Sequence, residues 1–212
     1  MKENTKSHNE ITDKIIATCK ILDNLLNEED KRFSSENTFV FNFAWQLFKE
    51  YEEFIENIDF EVPLYEGFSD GKFIDLLVCF KNNNQITKIG FEFKFPKKEN
   101  KGGTAARMSI INDIKRLTWL VKKNEIDIGV FICATNDDYF IKEDGKRVSL
   151  EFVTHHEKCF KQGHNLPTDE KYPEPVKSLN DITFNWNHLV KEKKGFNIEQ
   201  GKYSFLEPIF VL

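Results

Sequence analysis

An α/β fold is what this sequence predicts, on two observations. Hydrophobic positions switch between helical and strand periods along the chain, and from residue 34 the resulting order is helix, strand, strand, strand, helix, strand. A chain of 212 residues, 40% of them hydrophobic and 31% charged, can bury a sizeable core and is too apolar for disorder. One domain, with a small appendage at most, is the expectation.

Each element has a local reason. Residues 1–10 are polar and expected to fray, after which Ile15, Ile16, Cys19, Leu22, Leu25 and Leu26 recur at helical spacing across 11–29. Ser34-Ser35 offers an N-cap to a second helix, whose stripe is Phe39, Val40, Phe43, Leu47, Tyr51 and Phe54. Residues 57–64 read as a strand ending at Pro63, and Glu66 to Gly71 as a turn. Residues 73–80 form a strong strand, Asn82-Asn83-Asn84 a turn, and 86–95 the returning arm of a hairpin. A basic, glycine-containing loop at 96–103 leads into a helix over 104–123, with Met108, Ile111, Ile114, Leu117, Leu120 and Val121 on its apolar side. Residues 126–134 are nearly continuous apolar sequence, as in a buried strand. Beyond residue 135 the pattern weakens to a candidate strand at 148–153, a short helix at 181–191 and a terminal strand at 203–212 interrupted by Pro208. The chain thus divides into an N-terminal helical segment (1–33), a core (34–134) and a C-terminal extension (135–212) that packs on the core or forms an interface.

Composition narrows the function classes. No apolar run approaches the roughly 18 residues of a membrane span, and the polar start has no apolar core of a secretory signal. Four scattered cysteines without a Cys-x-x-Cys pair predict a reducing, cytoplasmic setting. The net charge of -5 argues weakly against nucleic acid, but the charge is uneven. Glu50, Glu52, Glu53, Glu56, Asp59 and Glu61 form an acidic stretch. Lys94, Lys97, Lys98, Lys101, Arg107, Lys115, Arg116, Lys122 and Lys123 make 94–123 basic. His155, His156, Cys159 and His164 match no zinc-ligand spacing, and no phosphate-cradling loop or nucleophile elbow is present.

The chemistry concentrates in Phe91-Glu92-Phe93-Lys94-Phe95. Strand alternation puts the three phenylalanines on one face and Glu92 with Lys94 on the other. The partner strand is apolar but for Asp75, a charge that is costly to bury unless paired or bound to metal. Folding the hairpin brings Asp75 beside Glu92. Two carboxylates and a lysine at one point suit phosphodiester hydrolysis: oxygen ligands for Mg²⁺, and a cation to orient water, act as its base if its pKa is lowered, or stabilise charge on phosphorus.

Asp75, a hairpin, Glu92-Phe93-Lys94 and a basic amphipathic helix together resemble the PD-(D/E)XK superfamily of restriction-endonuclease-like nucleases, over about residues 34–134. The proline that names the motif is absent; Ile74 precedes Asp75. The resemblance implies a mixed central sheet flanked by helices, Asp75 and Glu92 as metal ligands with the Phe93 carbonyl, and Lys94 as the catalytic lysine. It also implies a Mg²⁺ cofactor, with Mn²⁺ as substitute, and a nucleic-acid substrate, DNA in the first instance, in restriction or defence. Alternatives are an inactive binding or assembly module of the same fold, or a nuclease for RNA or for branched or single-stranded DNA. Glu36 is either a further metal ligand on the first core helix or a first-turn carboxylate favoured by the helix dipole. Asp70 reads as a turn residue. Lys97, Lys98 and Lys101 form either a phosphate-facing or a merely solvated loop, and Arg107 and Lys115 are candidate phosphate contacts. Asp113 and Arg116 have the i,i+3 spacing of an ordinary surface pair. Cutting both strands of a duplex favours a homodimer, with Phe140, Phe152, Phe160, Trp186, Phe205 and Phe210 either in its interface or closed over one subunit.

Overall fold

The computed structural model describes residues 2–28, 33–63, 73–82, 85–100, 103–142, 152–167, 175–192 and 195–212. The turn read at 66–71, the residues Asp70, Asn83, Asn84 and Lys101, and most of the candidate strand at 148–153 lie outside them.

Five strands form the path of a mixed sheet: β1 (Ile55–Pro63), β2 (Phe73–Asn82), β3 (Gln85–Lys94), β4 (Ile128–Thr135) and, at the far edge, β10 (Ile209–Val211). The β1/β2 and β2/β3 pairs are antiparallel, β3/β4 is parallel and β10 returns antiparallel to β4. A parallel pair needs a crossover, which is helix α3 (Gly103–Lys122). Between β4 and β10 come the short strands β5 (Cys159–Phe160), β6 (Ile182–Thr183), β7 (Leu189–Glu192), β8 (Gly195–Ile198) and β9 (Ser204–Phe205), the last pairing with the end of β4. The chain is therefore α/β, with a central mixed sheet flanked by helices.

The strand period sorts the two cores. Phe91, Phe93 and Phe95 join Leu76, Val78, Phe80, Val130 and Ile132 on one face, under α1 (Lys2–Asn27) and α2 (Glu36–Tyr51). The Phe43 ring lies 5.1 Å from Phe91 and 5.2 Å from Phe93, and Phe39 lies 5.1 Å from Phe95. Phe39 and Phe43 reach these partners because they are one helical turn apart. The helix starts where predicted: the Thr38 N–H donates to the Ser35 hydroxyl at 3.2 Å. The opposite face carries Phe131 and Cys133 and packs on α3 and the C-terminal segments.

The extension is part of this second core. Phe140, Phe152, Phe160 and Trp186 are buried in it, Phe205 is buried in the first core and Phe210 packs half-buried against that core. These aromatics close over the cores of a single subunit. The helix read at 181–191 is also absent: Ile182, Phe184 and Trp186 are buried with less buried residues between them, a period of two that runs from β6 to the bridge between Trp186 and Leu206, and β7 follows, paired with β8.

Gly129 fixes how closely α3 approaches β4. A Cβ there would lie 2.9 Å from the Leu117 Cβ and 3.3 Å from the Val211 Cβ. Gly129→Ala is expected to cost about 1–3 kcal/mol through overpacking, read as a lower urea midpoint with an unchanged slope. A wild-type midpoint would mean that α3 withdraws freely.

Candidate active site

The register that pairs Leu76 with Phe91 is the last rung between β2 and β3, and it sets Asp75 opposite Glu92. Beyond that rung β3 continues, and its edge N–H groups are met by carboxylates instead of by β2. The Phe93 N–H donates to Asp75 Oδ2 at 2.7 Å, and the Phe95 N–H donates to Glu36 Oε2 at 3.0 Å. Strand alternation turns Glu92 and Lys94 toward α3. The Lys94 ammonium lies 2.8 Å from Asp113 Oδ2 and 3.4 Å from Glu36 Oε1, and donates to the Phe93 carbonyl at 3.0 Å. Arg116 donates through Nε to Glu92 Oε1 at 2.7 Å and through its other arm to Asp113 Oδ1.

Asp75, Glu92, Lys94 and Glu36 are thus brought to one point from β2, β3 and the start of α2. They are graded in exposure. The side chains of Glu92 and Asp113 are 1% and 5% accessible, against 19% for Lys94 and 38% for Glu36, so the group opens to solvent on the Glu36 side.

Asp113 and Arg116 are not the surface pair that their spacing suggests. Both are buried, and they join Glu92 and Lys94 into one chain of ion pairs. The sequence held a signal for this. Ile110, Ile111, Ile114, Leu117, Trp119 and Leu120 span too wide an arc for a helix with a solvated face, and the intervening charges are buried with them.

The same breadth of burial overturns two phosphate-contact assignments. Arg107 is fully buried, donates to the carbonyls of Tyr139 and Lys142 and lies 4.0 Å over the Tyr139 ring, so it ties α3 to the segment after β4. Lys115 is buried and donates to the Leu166 carbonyl at 3.2 Å. Lys97 is not a loose loop residue either: its ammonium donates to the carbonyls of Phe33 at 2.7 Å and Ser34 at 3.0 Å, just before α2. Lys98 remains exposed, with its backbone N–H held by Asn136 at 2.9 Å. His156 accepts the Trp186 N–H through Nδ1, and Cys159 accepts the Thr183 hydroxyl.

Four carboxylates face two cations here, and the electrostatics reflect it. Burial pushes Asp75 and Glu36 above the ordinary carboxyl range, with Lys94 opposing the shift in both cases. Burial and the adjacent Asp113 charge push Glu92 well above it, against the pull of Arg116. Burial disfavours the Lys94 charge, but Asp113 and Glu36 outweigh it, and the ammonium is held more firmly than in water. Lys94 is therefore a fixed cation in this state and not a base with a lowered pKa.

Among the described residues no three carboxylate, imidazole or thiol groups stand as a ready metal cage. Arg116 lies between Glu92 and Asp113, and Lys94 between Asp113 and Glu36. The donor set nonetheless fits Mg²⁺, which uses one or two carboxylates and keeps several waters. Asp75, Glu92 and the Phe93 carbonyl are oxygen donors of that kind, and a cation beside them would offset the burial that, with the Asp113 charge, raises both carboxyls.

Among the described residues, no helix is long and apolar enough to cross a membrane. No family model matches the chain, and comparison with curated proteins and with solved structures finds no match.

Proposed function

We propose that this chain is a Mg²⁺-dependent nuclease with a restriction-endonuclease-like core, hydrolysing phosphodiester bonds of a nucleic acid, with DNA as the favoured substrate. One observation carries the reading. Where β2 leaves β3, Asp75 meets the Phe93 N–H, Glu92 stands opposite it, and Lys94 projects from the next residue of the same face. Two carboxylates and a lysine at one point are parts a metal-assisted phosphodiesterase uses, oxygen donors for the ion and a cation for the developing charge. A bound Mg²⁺ would polarise the scissile phosphate and lower the pKa of a water. Asp75 and Glu92 would hold it with the Phe93 carbonyl, and Glu36 would add a carboxylate from the α2 side. Lys94, kept charged by Asp113 and Glu36, orients water and offsets the charge that develops on phosphorus. Restriction or another defence against foreign nucleic acid is the role that goes with this core by analogy of fold.

A second reading has its own support. Arg116 and Lys94 already neutralise much of the carboxylate cluster, as they would in an inactive module that binds without cutting. Incubation with supercoiled plasmid and with labelled RNA, in Mg²⁺ and in EDTA, separates the two. Mg²⁺-dependent, EDTA-sensitive cleavage is expected; intact substrates in both would leave the binding module.

Lys98 is the described loop lysine left to face phosphate. Lys98→Ala should reduce the slope of log affinity against log salt by about one. An unchanged slope would remove this loop from the interface.

A further inference from the structure

Large aromatic side chains on a surface call for an explanation when they cluster. Phe41 is 59% exposed, Trp45 53% and Phe60 48%. Phe41 and Trp45 are one turn apart on the outer side of α2, and Phe60 lies on β1 opposite Leu76, on the face that α2 covers. Between α2 and β1 runs a cleft of ≈ 180 Å³, lined by Asn37, Val40, Phe41, Phe60, Glu61 and Asp75. Asp75 of the candidate metal centre is thus one of the residues that line it.

We infer that this cleft seats an unpaired nucleobase, stacked against Phe41 and Phe60, next to the phosphodiester at the Asp75/Glu92/Lys94 centre. The substrate is then single-stranded nucleic acid, or a locally unpaired strand, in preference to an intact duplex. The inference rests on the nuclease reading and names the substrate class of that same site.

Three observations point to a base as the occupant. First, the cleft adjoins Asp75, so a phosphate at the centre carries its own nucleoside to the cleft mouth. Second, apolar walls with a polar rim suit a base: rings stack on its faces, while Asn37 and Glu61 meet its edge donors and acceptors. Third, charge is divided across the site. The sheet order puts β1, with exposed Asp59 and Glu61, on one side of the β2/β3 fork. Lys98, held by Asn136 at the end of β4, lies on the other. A single strand can lay its backbone toward Lys98 and its base toward β1. A duplex places a second row of phosphates beyond the base pair, against those carboxylates.

Fluorescence anisotropy in EDTA at low salt tests this, with labelled oligothymidine and oligouridine of about a dozen nucleotides, a length within ordinary single-strand site sizes, and a blunt DNA duplex of equal length. The single strands should bind at least tenfold more tightly than the duplex. Phe41→Ala and Phe60→Ala should each weaken single-strand binding about tenfold, within the range for loss of one stacked base, and Phe41→Trp should retain it. Both positions are exposed, so the fold should persist; circular dichroism checks this. The oligothymidine and oligouridine arms tell DNA from RNA. Equal or tighter duplex binding, or alanine variants that bind single strands like wild type, overturns the inference. If Mg²⁺-dependent plasmid cleavage persists in that case, the nuclease reading stands without it. If wild type binds and cuts no nucleic acid, both fall. A wild-type dimer that Phe41→Ala dissociates, seen by light scattering, would assign the cleft to a second copy and overturn the inference as well.

Discussion

Lys94→Met should lower phosphodiester cleavage by about two to four orders of magnitude, the usual range for a positioned group acting on a proton or on developing charge. Methionine keeps most of the side-chain volume and removes the ammonium. Asp75→Asn and Glu92→Gln should be comparably inactive. They are better tests than alanine, because the structure gives both carboxylates a structural duty. Asp75 caps the Phe93 N–H, which an asparagine oxygen can still accept, and Glu92 holds the Arg116 guanidinium, which a glutamine oxygen can still meet. Activity is read from supercoiled plasmid in Mg²⁺, and the fold from circular dichroism. Wild-type cleavage by all three folded variants would put the activity at another site or in a contaminant.

The parts of the site that the sequence made legible are those set by strand geometry. Alternation alone separates Glu92 and Lys94 from the three phenylalanines, and the asparagine turn signal in the sequence leaves only a narrow choice of register for Asp75. Ser35 as N-cap was equally legible, since its hydroxyl serves a local N–H. The two roles weighed for Glu36 turn on a non-local fact: its carboxylate reaches the Phe95 N–H and Lys94, 59 and 58 residues away. Arg107, Lys115, Asp113 and Arg116 are buried against expectation for one shared reason. Charges on an amphipathic helix are assigned to solvent by default, whereas α3 shares its core with Phe140, Phe152, Phe160, Leu166, Phe184 and Trp186, from segments whose own pattern is weak. The stretch from β6 to Trp186 differs for a local reason: alternating Ile182, Phe184 and Trp186 is a strand signal inside the span whose turn spacing also suits a helix. Nothing in the sequence placed the Phe41 and Phe60 rings on one cleft, because that depends on how α2 lies against an edge strand.

Arg116 carries the other large expected effect, and this one needs no assumption about function. Its guanidinium is the bridge between two buried carboxylates, Glu92 and Asp113. Arg116→Met keeps the aliphatic stem and removes the charge, leaving both acids unpaired on that side. Breaking a buried ion pair in this way costs about 3–5 kcal/mol, far more than the same change at a surface pair. Adding Glu92→Gln to Arg116→Met should restore part of the loss, because an amide in place of the stranded carboxylate removes a buried charge; a double-mutant cycle on urea midpoints gives the coupling. The pH dependence has a defined sign. Glu92 titrates above its unfolded value in the native protein, so folding favours its protonated form. Stability from this group is fullest below the unfolded carboxyl pKa of about 4.3 and falls as pH rises through the elevated native value. Without Arg116 the native value rises further, since the guanidinium that bonds Glu92 and lowers it is gone. The stability gap between Arg116→Met and wild type should therefore be narrower at about pH 5 than at about pH 8. An equal gap at both would assign the cost to lost packing of the arginine stem instead of to the stranded carboxylates.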